Sequence, residues 1–132
     1  MDERLFARLD SHVRQGRLIL FTGAGFSLAA SNAEGQRLPT VSDLTHELWS
    51  VAFPGEPYEE SLLQDVYEAA LLQAKRATVD LLRSRLTVDP GSLPAFYRTW
   101  FSLPWHRIYT VNVDDLAEAA NRAFDLPRRL EP

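Results

Sequence analysis

The residues best suited to chemistry lie in two short stretches. Gly23-Ala24-Gly25-Phe26-Ser27 sets small residues and a hydroxyl directly after the apolar run Leu18-Ile19-Leu20-Phe21. Thr110-Val111-Asn112-Val113-Asp114-Asp115 closes a second run that begins at Arg107 and adds an amide and two carboxylates. A glycine loop between a strand and a helix lets the backbone approach an anion, while the helix start offers unpaired N–H groups and a positive dipole end. That combination can cradle the pyrophosphate of a dinucleotide. An amide such as Asn112 has no basic atom, so its chemistry is positioning.

Each stretch also has a plain reading. A lone Gly-x-Gly serves more often as a turn that packs a helix against a strand. Asn112 suits an ordinary turn, Asp114 a helix N-cap and Asp115 a first-turn acid, the last two contributing under ~1–2 kcal/mol each. Two other phosphate motifs are excluded: no Gly-Lys-Ser/Thr ending makes a P-loop. Leu28 stands where a dehydrogenase fingerprint needs Gly or Ala, and Asp43, near the right spacing for its ribose-binding acid, falls in an expected helix. Hydride transfer is therefore not expected.

The elements that must position these residues follow from periodicity. Leu5, Phe6, Leu9 and Val13 mark one helical face, and Gly16 stops it. Leu18 to Phe21 reads as a strand covered on both faces, as in a parallel sheet. A helix is expected from Leu28, then a loop over 32–39. Ser42 is the expected N-cap of a helix carrying Leu44, Leu48, Trp49 and Ala52, which the Phe53–Pro57 stretch ends. Residues 61–86 are rich in strong helix formers, with a break expected near Ala77-Thr78. Leu93, Phe96, Tyr97, Trp100 and Phe101 give a short aromatic-faced helix that Pro104 ends. Residues 107–111 read as a second buried strand. The last helix runs from Asp114 to Phe124, with Leu116, Ala119, Ala120 and Ala123 inward; proline and charge follow Leu126.

Two strands leading into helices imply an α/β fold: a Rossmann-like parallel sheet with a mainly helical insertion over 40–104, within one domain spanning 1–132. Two strands make a poor sheet, so the expectation is a truncated chain whose remaining strands lie further along or in a partner. At 132 residues, 45% hydrophobic and 24% charged, the composition is that of a globular domain. A net charge of −4 gives no general attraction to nucleic acid or anionic lipid, and the basic pairs Lys75-Arg76 and Arg128-Arg129 are short and scattered. Without cysteine there is no disulfide frame and no thiolate zinc site, and no metal is expected. No apolar run approaches the ~20 residues of a membrane span, and Met1-Asp2-Glu3-Arg4 does not resemble a secretory signal. The expected setting is cytoplasmic, without membrane or direct nucleic-acid contact. Trp49, Tyr97, Trp100, Phe101 and Trp105 are expected in the core rather than on a base-stacking surface.

The two stretches together resemble a known family. Phe21-Thr22-Gly23-Ala24-Gly25-Phe26-Ser27 is similar to the Gly-Ala-Gly-x-Ser signature of sirtuin-related (Sir2-like) proteins, and Thr110-Val111-Asn112-Val113-Asp114 resembles their Thr-x-Asn-x-Asp signature. Leu38-Pro39-Thr40 looks like the proline-containing stretch of the prokaryotic members, which often hydrolyse NAD in antiphage defence. Deacylases have Asp-Phe-Arg after that proline; Thr40-Val41-Ser42 here favours the defence branch.

The resemblance implies an NAD site. Gly23, Ala24 and Gly25 would lie against the pyrophosphate, with Ser27 hydrogen-bonding nearby, and Phe26, Pro39 and Thr110 would also be cofactor-binding. Asn112, the implied catalytic residue, would hold the nicotinamide ribose or the attacking water, and Asp114 would meet the carboxamide. The family's catalytic histidine, in a His-Gly pair, has no counterpart, because none of His12, His46 and His106 precedes a glycine. This stretch by itself is therefore expected to bind NAD with little or no turnover. A non-catalytic NAD- or ADP-ribose-binding or assembly module is the alternative, and a protein deacylase a weaker third. Implied partners are NAD and either further copies of the chain or a partner defence protein.

Overall fold

A computed structural model describes residues 2–126. The proline- and charge-rich end, including Arg128 and Arg129, lies outside the described residues. The protein is a mixed α/β structure in which a small parallel sheet carries mostly helices.

Helix α1 (Glu3–Arg14) starts where the Asp2 carboxylate accepts the Arg4 backbone N–H at 3.0 Å. It ends at Gly16, whose φ of 62° only glycine adopts freely and whose place leaves no room for a side chain: a Cβ would stand 3.2 Å from the Pro104 carbonyl oxygen. Its apolar face is present as expected, yet no α1 residue is buried, and Leu5, Phe6 and Leu9 are all exposed.

Strands β1 (Ile19–Thr22) and β2 (Arg107–Thr110) pair in parallel, Ile19 opposite Arg107 through Thr22 opposite Thr110. Parallel neighbours need a crossover, and the whole helical stretch between them supplies it. The strands are covered on one face only, which corrects the expectation of double burial. Side chains alternate along a strand: Leu20, Thr22 and Ile108 turn toward the core, while Ile19 (53% exposed), Phe21 (66%) and Tyr109 (48%) share an open face. Among the described residues no helix packs on that face closely enough to bury it.

The helix expected from Leu28 does not form. A single 3-10 turn, Ala24–Ser27, follows β1, and the chain then runs through isolated bridges, Ser31 with Arg37 and Asn32 with Val88. The buried Asn32 Oδ1 accepts the backbone N–H groups of Glu34 and Gln36, offering this segment a local alternative to helical bonding.

Helix α2 (Val41–Ala52) is capped by Thr40, not Ser42. The Thr40 hydroxyl accepts the Asp43 N–H at 3.1 Å and the Asp43 carboxylate accepts the Thr40 N–H at 2.9 Å. Helix α3 (Leu63–Leu86) breaks at Ala74 (φ −153°, ψ 70°), earlier than Ala77-Thr78. The buried Thr78 hydroxyl caps this break by donating to the Ala74 carbonyl at 3.0 Å. Both halves of α3 pack on α2, around Leu44, Leu48, Ala52, Val66 and Ala70.

A second cluster lies under the sheet: Ala30, Leu38, Val88, Tyr97, Phe101, Leu116, Ala119 and Ala120. Helix α4 (Ala95–Ser102) supplies Tyr97 and Phe101, and α5 (Leu116–Phe124) supplies the last three. Not all the aromatics enter this core. Trp49 and Trp105 are half-buried, and Trp100 stays 41% exposed, stacked on Trp105 with ring centroids 5.9 Å apart. Ala123 also faces solvent, in the final turn of α5. Among the described residues no helix is long and apolar enough to cross a membrane.

Candidate functional site

Parallel pairing sets the carboxyl ends of β1 and β2 side by side, where open α/β sheets hold their ligands. The Thr22 hydroxyl reaches the Tyr109 carbonyl at 3.4 Å, and the Val111 N–H donates to the Thr22 carbonyl at 3.3 Å. The glycine loop and the Asn112 loop therefore leave the sheet as neighbours.

Asn112 joins them. Its backbone N–H donates to the Thr110 hydroxyl at 3.0 Å, which turns the chain out of the strand. Its side-chain Nδ2 then donates to the Gly23 carbonyl at 3.1 Å and to the buried Ser27 hydroxyl at 2.7 Å. Both amide hydrogens are thereby used, and Oδ1 is the atom left to orient a ligand hydroxyl or a water. The valines on either side, Val111 and Val113, point to solvent.

The loop between these contacts is a 3-10 turn closed by the Phe26 N–H on the Gly23 carbonyl at 2.8 Å. Gly23 is extended (φ −123°, ψ −178°), and Gly25 is not among the positive-φ glycines. Neither backbone conformation demands glycine. Nothing lies within 4 Å of where a Cβ would stand on either residue. The plain reading, in which these glycines let a helix pack on the strand, has no packed helix to support it. The space they leave opens outward, and Ala24 and Gly25 are exposed. With a four-residue 3-10 turn in place of an α-helix, the loop offers backbone N–H groups without a full helix dipole.

The remaining predicted site residues are distributed around this centre. Asp114 is half-buried, and its Oδ1 accepts the Leu116 N–H at 3.1 Å, a helix-start role. Asp115 accepts the Val88 N–H at 2.6 Å and pairs with Arg122 at 3.2 Å, fastening the loop to the chain that leaves α3. Pro39 is half-buried between Leu38, a member of the core cluster that includes Ala30, and the cap residue Thr40. The histidines stand apart from this cluster in their contacts. His46 Nδ1 meets the Ser42 carbonyl at 2.8 Å and its ring stacks on Tyr58, while the His106 N–H binds the Leu18 carbonyl at the opposite end of the sheet.

Sequence reasoning placed Tyr97 in the core for its ring and missed its hydroxyl. That group donates to the Phe26 carbonyl at 2.5 Å. The Phe26 ring meets Tyr97, Phe101 and Trp100 edge-on, with centroids 5.3, 5.8 and 6.4 Å away. Burial pushes the Tyr97 phenol above its usual range; the Ala29 backbone N–H draws it back, and Asp114 adds a smaller upward push. The available signal was a tyrosine, rather than a phenylalanine, on an otherwise apolar helix face.

Two cavities occur among the described residues, and one of them borders the Asn112 loop. One, of about 640 Å³, runs between α2, α3 and the Asn112 loop, with Leu44, Leu48, Tyr67, Leu86 and Val113 in its walls. The other, of about 590 Å³, is lined by Glu34, Arg37, Glu47 and Arg85. Neither is lined by the glycine loop. No group of three or more His, Asp or Glu side chains arranged to hold a metal occurs among the described residues. Comparison with protein-family models, with curated proteins and with solved structures returned no match.

Proposed function

We propose that the glycine loop and Asn112 form an NAD site, and that the chain is the nucleotide-holding part of an NAD hydrolase of the prokaryotic defence type. The observation that carries this is the Asn112 side chain bridging Gly23 and Ser27 across two strand ends, beneath open space at Gly23 and Gly25. Two motifs singled out for one ligand thus meet at one place. The finer fold assignment, a Rossmann-like sheet of the sirtuin type, rests on the same parallel pair.

The residues present fit the dinucleotide. Side-chain-free Gly23 and Gly25 admit the pyrophosphate against the backbone, where N–H groups can receive it. Ser27 offers a hydroxyl beside it. Asn112 Oδ1 holds a ribose hydroxyl or the attacking water in place, and the Asp114 carboxylate recognises the carboxamide. Hydrolysis breaks the nicotinamide–ribose bond through an oxocarbenium-like state, and fixed dipoles that need no reorganisation stabilise its charge. What this chain's residues supply is binding and orientation.

Among the described residues no histidine is hydrogen-bonded to Asn112, and on this reading proton transfer needs a group from elsewhere. That favours, as a second reading, a module that binds NAD or ADP-ribose without turning it over, working with a further copy of itself or a partner defence protein in the cytoplasm. Nicotinamide release separates the two. Release once the protein that supplies the missing proton-transfer group is present, abolished in Asn112→Ala, fits the hydrolase. Binding of ADP-ribose with no release fits the module. Neither binding nor release overturns both.

A further inference from the structure

We infer that Tyr97 is a positioning residue of the glycine loop, acting on a bound dinucleotide through the Phe26 carbonyl rather than touching it. The inference rests on the nucleotide reading of that loop.

Tyr97 is fully buried on α4, and its ring is fixed by Phe26 edge-on at 5.3 Å and Phe101 stacked at 6.4 Å. A phenylalanine would fill the same space. A buried hydroxyl is unfavourable unless it is paired, so its presence is explained by the bond it makes. That bond, 2.5 Å to the Phe26 carbonyl, crosses 71 residues of sequence.

The peptide carrying the Phe26 carbonyl also carries the Ser27 N–H on its other side. Because the unit is planar and trans, fixing the carbonyl fixes the direction of that N–H. Asn112 holds the loop at the Gly23 carbonyl and the Ser27 hydroxyl; Tyr97 holds it at the peptide between Phe26 and Ser27. Anchors from two separate elements thus bracket exposed Ala24 and Gly25. An anion bound there meets a loop whose backbone is already held in place, and little ordering remains to oppose binding.

The test compares Tyr97→Phe with Phe101→Leu, which loosens the same aromatic cluster without removing the hydroxyl. ADP-ribose and NAD affinities are measured by calorimetry well below each variant's Tm, with amide hydrogen exchange across 23–27. Tyr97→Phe should weaken binding about tenfold and speed exchange in the loop. Phe101→Leu should lower Tm at least as much yet leave affinity within about twofold. Unchanged affinity in Tyr97→Phe, with the unsubstituted chain binding normally, overturns the role alone. Failure of the unsubstituted chain to bind either nucleotide overturns the nucleotide reading and the role with it. An equal loss of affinity in both variants makes Tyr97 a packing residue and also overturns it.

Discussion

Asn112 and Ser27, 85 residues apart in sequence, are joined side chain to side chain at 2.7 Å. The same amide nitrogen holds the Gly23 carbonyl, so one residue at the end of β2 spans the loop that follows β1. This relationship gives the site its shape, and its removal has two separable consequences.

Asn112→Ala leaves the buried Ser27 hydroxyl without this partner and removes one of two donors from the Gly23 carbonyl. A stability loss of about 1–3 kcal/mol is expected, read by urea denaturation with tryptophan fluorescence. ADP-ribose binding should fall beyond what unfolding explains. A variant as stable as the parent would show that the bridge is not formed in solution.

Asp114→Asn separates fold from recognition. The asparagine oxygen can still accept the Leu116 N–H, so stability should stay within about 0.5 kcal/mol. Discrimination between NAD and ADP-ribose, which lacks the carboxamide, should shrink. Equal discrimination by both proteins removes Asp114 from the site.

Leu48→Ala tests whether the two cores act separately. Leu48 is almost fully buried in the α2–α3 cluster, apart from the cluster beneath the glycine loop. The substitution should cost about 2–5 kcal/mol while nucleotide affinity of the folded fraction holds. Parallel loss of both would mean that the helical pair shapes the site directly.

The α2 cap carries a pH dependence. Hydrogen bonds from the Thr40 backbone and hydroxyl, with a smaller contribution from Arg37, hold the Asp43 carboxyl below its usual range. A lowered carboxyl stabilises the fold when ionised: its contribution is complete above the ordinary value of about 4 and is lost as pH falls below it. Asp43→Asn should therefore lower Tm near neutral pH and make little difference near pH ~2. A Tm difference that persists unchanged into acid contradicts this.

How far the sequence foretold these features depends on how local their causes are. Short apolar runs ending in small or polar residues marked both strands, and the long run of helix formers marked α3, because period and propensity are local. The cap at Thr40 was missed because Ser42 and Thr40 are both good cap residues; what decides is Asp43 reaching back to Thr40. The expected helix after Ser27 failed because Asn32 and Asn112 claim backbone and side-chain groups there, and those partners come from 2 to 89 residues away. Exposure of Ile19 and Phe21 depends on what covers the sheet, which a run of apolar letters does not encode. The glycine and Asn112 loops were legible as types; that one amide binds both is a fact of three dimensions.

On the proposed reading, Gly25 is where a ligand's phosphates meet the backbone. Calorimetric titration of ADP-ribose into the parent chain and Gly25→Asp, with Tm measured on both, tests it most directly. Nothing within 4 Å opposes a new side chain at Gly25, so the fold should tolerate the substitution. The expected result is binding by the parent, none by Gly25→Asp, and closely matching Tm values. Equal binding by both proteins, or none by the parent, would mean that Gly25 does not hold a nucleotide's phosphates.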